Sequence, residues 1–215
     1  MVKTMENKDA LLFFKDMAAT AKDASVVKLV SVNDMTDYDA AFILKFADIN
    51  TSILDLGSGT GLTINKLYNN VKKITALDPF ENFTKYIVQS PNVQIVNKTV
   101  LEFNPDTEYD LITVFGLMQY FNELEAQEIY KLCYTWIKPG GKIIIKNQFG
   151  VHQDIVISGY SEELKKNYYS HYRHLDKETA LLEQCGFKNI TIVDIYPPEC
   201  NRWENTHFYA FVAEK

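Results

Sequence analysis

The chain has 215 residues, 47% of them apolar, which suits one domain with a full hydrophobic core, and no second catalytic module is expected. Its formal charge of −6 supplies no overall positive field for a polyphosphate backbone, which disfavours long nucleic acids, and no nucleic-acid partner is expected. Only a local basic region around Lys165, Lys166 and Arg173 is left to hold a single anion.

In chain order, residues 1–48 read as a helical cap. The apolar run Leu11-Leu12-Phe13-Phe14 is broken by Lys15 and Asp16, too short for a secretory leader or a membrane span, so a cytoplasmic protein is expected. Asp9 to Lys22 has mixed periodicity, and Thr36 can cap a second helix whose Tyr38, Phe42 and Phe46 recur on one face and suit packing. From Leu54 onward, short β-branched runs alternate with helical patterns, the sign of a parallel sheet covered on both faces. Strands are predicted at 51–56, 73–78, 92–97, 109–115 and 141–147, with helices at 61–69, 80–90 and 123–137. Lys138-Pro139-Gly140-Gly141 stops the last of these helices and launches Ile143-Ile144-Ile145. Cys133, Cys185 and Cys200 are odd in number and widely spaced, without a C-x-x-C pair, which suggests neither a disulfide framework nor a zinc site.

The first strand ends in Gly57-Ser58-Gly59-Thr60-Gly61, where glycine permits positive φ and lets a ligand pack on the main chain. Asp78 closes the next strand twenty-three positions after Asp55, the length of one strand-helix-strand unit, and suits a grip on ribose hydroxyls. Gly57, Gly59 and Gly61 are followed by Leu62, a departure from the dinucleotide pattern G-x-G-x-x-G, and there is no phosphate loop G-x-x-x-x-G-K-[ST].

Leu54-Asp55-Leu56-Gly57-Ser58-Gly59-Thr60-Gly61 resembles the first motif of the class I S-adenosylmethionine-dependent methyltransferases. Tyr109-Asp110-Leu111-Ile112-Thr113 and Lys138-Pro139-Gly140-Gly141 resemble the family's fourth and fifth strands, so the likeness runs over about 50–147. Gly186-Phe187-Lys188-Asn189 before Ile190-Thr191-Ile192-Val193, then Phe208 to Ala213, fit its sixth strand and reversed seventh. The resemblance implies a Rossmann-like α/β fold with seven strands in the order 3-2-1-4-5-7-6, strand 7 antiparallel, as a single domain over 1–215 with an insertion at 148–175. It also implies S-adenosylmethionine as cofactor and S-adenosylhomocysteine as product. Cofactor contacts are implied for Asp55, Gly57, Ser58, Gly59, Gly61, Asp78, Pro79 and Phe80, and for Phe115 and Gly116 beyond the fourth strand. After the third strand Thr99 stands where relatives carry an acid, which leaves adenine to its hydroxyl or to the Val100 backbone.

In open α/β sheets ligands sit beyond the carboxyl ends of the strands. There, Gln119 and Tyr120 either reach the acceptor or begin a helix cap. No N-P-P-[YF] or D-P-P-Y tetrapeptide is present, which argues against a nucleic-acid amine acceptor. The insertion gathers His152, Tyr160, Tyr168, Tyr169, His171, Tyr172, Arg173 and His174, donors that suit a small polar or anionic acceptor, or else a solvated helix whose tyrosines cover the sheet. His171 and His174, three apart, have no partner cluster, and no metal site is expected. For a sugar hydroxyl, His152 or His171 suits the base; for a phosphate or phosphoramidate oxygen, Arg173, His171, His174 and Lys146 suit the anion. The C-terminal half, with Gln148, Gly150, Gly159-Tyr160-Ser161-Glu162-Glu163-Leu164 and Tyr168-Tyr169-Ser170-His171-Tyr172-Arg173, is similar to small bacterial methyltransferases encoded with surface-polysaccharide pathways, which implies O-methylation of a phosphoramidate or sugar intermediate of capsule synthesis. Methylation of another small molecule, a noncatalytic cofactor-binding protein and an NAD-linked oxidoreductase are the rival readings.

Overall fold

The computed structural model describes residues 7–27, 34–161, 166–201 and 203–215. Lys165 of the basic region and Glu162-Glu163-Leu164 of the surface-polysaccharide resemblance lie outside the described residues. The glycine-ended strand β1 (Ser52–Leu56) is central, parallel to β2 (Lys73–Leu77) and to β4 (Tyr109–Phe115), with Ile53 opposite both Ile74 and Leu111. β3 (Val93–Val96) pairs with β2, and β5 (Ile137–Gly150) with β4, both parallel. β9 (Thr206–Glu214) runs antiparallel between β5 and β8 (Lys188–Asp194). The order β3-β2-β1-β4-β5-β9-β8 equals the expected seven-strand order once an added hairpin is counted separately.

Strand pleating divides the core in two. Leu54, Ile112, Ile143 and Ile145 face α5 (Glu123–Trp136) and α6 (Leu175–Gln184), whereas Ile53, Leu111 and Ile144 face α2 (Thr36–Ile43) and α3 (Ile64–Leu67). α5 buries Ala126, Ile129, Tyr130, Cys133 and Trp136, one helical stripe, behind a reciprocal Asn122/Glu125 cap.

Several elements depart from the sequence expectation. The predicted helix over 80–90 shrinks to α4 (Glu81–Thr84) because the Asn65 side chain takes over the backbone that follows, donating to Tyr86 O and accepting from Val88 N. Thr36 does not cap α2; Met35 is the N-cap residue, and Thr36 gives both its N–H and its hydroxyl to Asp34. The Pro139-Gly140-Gly141 turn is a register shift inside β5, between the Tyr109 and Leu111 pairings.

The insertion is not a helix. β6 (Ile155–Ser161) and β7 (Lys166–Tyr172) form an antiparallel hairpin, with Ile155 opposite Tyr172. Tyr168, Ser170 and Tyr172 are buried while Tyr169 and His171 are half-buried, the period of a strand with one covered face. Asp154 ties this hairpin to the start of α6, accepting from His171 Nε2 (2.9 Å), Lys177 Nζ (2.8 Å) and the His174 N–H (2.8 Å). His171 and His174 therefore part company, since His174 Nδ1 caps α6 by accepting from Asp176 N. Burial would raise the Asp154 carboxyl, but Lys177, the His174 N–H and His171 together bring it down to about 2. A carboxyl depressed on folding stabilises the fold above its unfolded value and loses that contribution as pH falls through its folded value. Thermal melts should therefore show a drop in stability between about pH 4 and pH 2 that is diminished in Asp154→Asn; superimposable profiles would remove this role.

α1 (Asn7–Ala19) completes the cap over the carboxyl ends of the strands, with Phe14 edge-on to Tyr120 at 4.9 Å and Phe13 to Tyr168 at 5.9 Å. Among the described residues no helix is long and apolar enough to cross a membrane.

Candidate active site

β1 runs directly into the turn 57–61, whose three glycines have φ of +70°, +51° and +71°. A Cβ on Gly57 would come 3.0 Å from Leu117 Cδ1, and one on Gly61 2.5 Å from Ile87 Cγ1, so side chains are excluded by conformation and by space. The turn does not offer a nest of free amides. Gly57 and Ser58 donate to Leu77 O at 2.8 and 3.1 Å, and Gly59 donates to Asp78 Oδ2 at 3.0 Å. What it presents is bare main chain at Gly57 and Gly59 with the Ser58 side chain between them, pinned to the tip of β2.

Asp78 is the pin. Its second oxygen accepts from Phe80 N at 2.9 Å, and only 6% of the residue is exposed. Burial pushes its carboxyl up to about 6 despite those two backbone donors. Asp55, under the same turn, is pushed to about 7 by burial; a 2.6 Å bond from Thr113 Oγ1 opposes this rise and the charge of Asp78 adds to it. Two buried carboxylates at adjacent strand ends mark a polar ligand site rather than a packing core.

A cavity of about 380 Å3 opens above these tips. Asp55, Gly57, Ser58, Gly59, Asp78, Pro79 and Phe80 line it, as do Thr99, Val100, Phe115 and Gly116. Gly61 does not; it backs onto Ile87 behind the turn. Thr99 Oγ1 gives its proton to Glu102 at 2.7 Å in a capping box, which leaves its lone pairs as acceptors.

On the far wall stand groups from four segments. Lys146 Nζ lies 2.6 Å from Asp39 Oδ2, donates to Tyr196 OH at 2.7 Å, and sits 4.8 Å from the Phe115 ring centroid. Tyr196 donates in turn to Asp39 Oδ1, and burial and the Asp39 charge raise its phenol well above the usual tyrosine range. Tyr120, Tyr168 and Tyr172 form a second polar wall, in which Ser170 Oγ donates to Tyr168 OH at 2.6 Å and Trp203 Nε1 to Tyr172 OH at 3.1 Å.

Of the expected acceptor-side residues, Gln119 and Tyr120 line the cavity and His152, His171 and Arg173 do not. His152 is exposed, His171 faces Asp154, and Arg173 is buried against Glu178 and the carbonyls of Met118 and Phe121. Asp39 and Tyr196 carried no sequence signal. The second of two aspartates in a short helix and a tyrosine before two prolines look ordinary until the fold brings them to Lys146.

Residues 53–141 match the family model described as "Methyltransferase domain". The chain is 25% identical over 158 residues to the phosphoethanolamine N-methyltransferase of Plasmodium falciparum, covering 68% of this chain and 57% of that protein. The chain thus matches little more than half the length of this curated relative. Among solved structures, the DhpI–SAH complex superposes with a TM-score of 0.73 at 15% identity over 97% of this chain and 96% of that one. Phosphoethanolamine N-methyltransferase 1 of Haemonchus contortus, in complex with phosphoethanolamine and S-adenosylhomocysteine, gives 0.74 at 18% identity over 97% of this chain and 49% of that one. These superpositions identify the fold as that of the class I methyltransferases.

Proposed function

We propose that this chain, built on the class I methyltransferase fold, is an S-adenosylmethionine-dependent methyltransferase of a small polar acceptor. One observation carries the reading: the glycine turn and the buried Asp78 carboxylate, bonded to each other, form the floor of a cavity whose opposite wall is polar. The residues present fit the cofactor. Asp78 has lone pairs left for ribose hydroxyls, Thr99 Oγ1 is an acceptor for an amino group, Phe80 supplies an aromatic face, and Ser58 Oγ is buried with no partner among the described residues. Bound there, the sulfonium would supply an electrophilic methyl group and leave as S-adenosylhomocysteine.

The protein's own task is then alignment and the exclusion of water. α1 roofs the cavity with Ala10 and Phe14, Phe115 and Gly116 form the floor next to the acceptor, and the tyrosine and Lys146 walls fix the acceptor's polar parts. A small acceptor, phosphorylated or sugar-linked, fits that volume and those donors. The phosphoethanolamine methyltransferases among the relatives support the phosphorylated form. O-methylation of a capsular phosphoramidate or sugar rests on the C-terminal resemblance; of the residues expected to serve it, Lys146, Gln148, Tyr168 and Tyr172 line the cavity, whereas His152, His171 and Arg173 stand outside it.

Calorimetry with S-adenosylmethionine and NAD, followed by labelled methyl transfer to phosphoethanolamine, phosphoramidate and nucleotide-sugar acceptors, tests the proposal. Binding of S-adenosylmethionine and label in one small acceptor are expected. Binding of NAD alone would return the chain to the oxidoreductases, and cofactor binding without turnover on any acceptor would make it a noncatalytic binder.

A further inference from the structure

We propose that the group methylated in this cavity is a primary amine, held by the side-chain amides of Gln119 and Asn147. The proposal rests on the S-adenosylmethionine reading above and goes beyond it in naming the acceptor's chemistry.

The two segments that carry these amides meet at one residue. Gly116 follows the last residue of β4; its N–H donates to Lys146 O at 2.8 Å, and its carbonyl accepts from Gln119 Nε2 at 2.9 Å. Asn147 comes directly after Lys146, and the pleat places it on the face shared with Ile143 and Ile145, whose core cluster includes Met118 and Phe121. Lys146 is thereby sent to the other face, where Asp39 and Tyr196 engage it. Gly116 has φ +67°, and a Cβ built on it meets nothing within 4 Å, so the space above this peptide is open to a ligand atom.

The oxygens of these two amides are unsatisfied. Gln119 Oε1 and Asn147 Oδ1 are buried and have no hydrogen-bond partner among the described residues, Asn147 being only 2% exposed, and both residues line the cavity. For Gln119 the orientation is dictated chemically, because the nitrogen must face the Gly116 carbonyl. Buried acceptors without donors are costly, and two of them in one cavity lining, on segments joined at an open glycine, call for a ligand that brings two donors, here assigned to one atom. A phosphate oxygen brings none and a hydroxyl brings one. A primary amine brings two N–H groups and keeps its lone pair.

Neutral carbonyls also suit the reaction. They hold the N–H groups without the full negative charge that would fix an extra proton on nitrogen, and the nearby Asp39 carboxylate is already engaged by Lys146 and Tyr196. The nitrogen lone pair forms the new N–CH3 bond, the electron pair of the broken C–S bond stays on sulfur, and the proton released from nitrogen goes to solvent water.

The test compares ligands that differ at that atom. With S-adenosylhomocysteine saturating, calorimetry should find phosphoethanolamine bound at least roughly tenfold more tightly than propyl phosphate, its isostere with CH3 for NH2, and 2-hydroxyethyl phosphate in between. In Gln119→Leu/Asn147→Leu the preference should fall below about threefold while S-adenosylhomocysteine affinity is kept. Gln119→Met alone, at a half-buried position, should give an intermediate loss if the double variant does not fold. Equal affinities for the three phosphates, failure of phosphoethanolamine to bind, or a preference that survives substitution would overturn the proposal. Failure of wild-type protein to bind S-adenosylhomocysteine would overturn the methyltransferase reading instead.

Discussion

Arg173→Ala should lower folding stability by about 3–5 kcal/mol and reduce cofactor and acceptor affinity together. The guanidinium donates through Nε to Glu178 Oε2 at 2.5 Å, through Nη2 to Glu178 Oε1 at 3.2 Å, and to the carbonyls of Phe121 and Met118 at 2.8 and 3.1 Å. Glu178 is fully buried and also accepts from the Tyr130 hydroxyl. Truncating the arginine strands a carboxylate and two carbonyls without donors, and a fold with total stability of about 5–15 kcal/mol feels that strongly. The turn that Arg173 anchors carries Gln119 and Tyr120, so the cavity wall loosens with it. Urea denaturation of the variant provides the number. Arg173→Met/Glu178→Leu should recover most of the loss, since exchanging a buried ion pair for apolar residues of similar volume is often neutral. An Arg173→Ala protein of unchanged stability that had lost acceptor binding alone would restore the anion-holding role expected from the sequence.

Asp78→Asn should weaken S-adenosylhomocysteine binding by at least about tenfold at pH 7.5, because charge-assisted hydrogen bonds to ribose hydroxyls are worth about 1.5–3 kcal/mol each. Asparagine keeps the shape and one accepting oxygen, so the contact with either Gly59 N or Phe80 N survives and the fold is retained. The wild-type carboxyl, raised to about 6 by burial, also predicts a pH dependence. Cofactor binding favours the ionised form, hence affinity is full above about pH 6 and falls as pH drops through that value, approaching tenfold per unit below it. The variant should lack that fall, which distinguishes Asp78 from Asp55, raised to about 7 beside it. Calorimetry at pH 7.5, 6 and 5 checks both statements; equal dissociation constants for the two proteins would place the nucleoside elsewhere.

The local signals in the sequence were read reliably where one residue type has one physical use. Glycines at 57, 59 and 61 adopt the positive φ that their spacing suggested, and Asp78 stands at the tip of β2 beside them. Runs such as Ile143-Ile144-Ile145, buried on both faces, are strands for the reason that made them recognisable. In the insertion, Tyr168, Ser170 and Tyr172 alternate at the spacing of a strand, a short period set among clustered charges that equally suit a solvated helix. Polar residues were harder. Arg173 follows β7 and Lys146 lies within β5, yet one is engaged by Glu178 five residues on and the other by Asp39, 107 residues away, and nothing local separates the two cases.

By itself, then, the sequence determined where the core strands lie, the glycine turn and the acidic residue beside it, since backbone conformation and burial period are written in neighbouring residues; the strand order came from the family resemblance. Which polar side chains face the cavity was decided only by the tertiary structure. Hydrogen-bond partners such as Lys146 with Tyr196, or Gln119 with Gly116, are assigned by how strands pair and which face each pleat presents, and those follow from packing across the whole sheet.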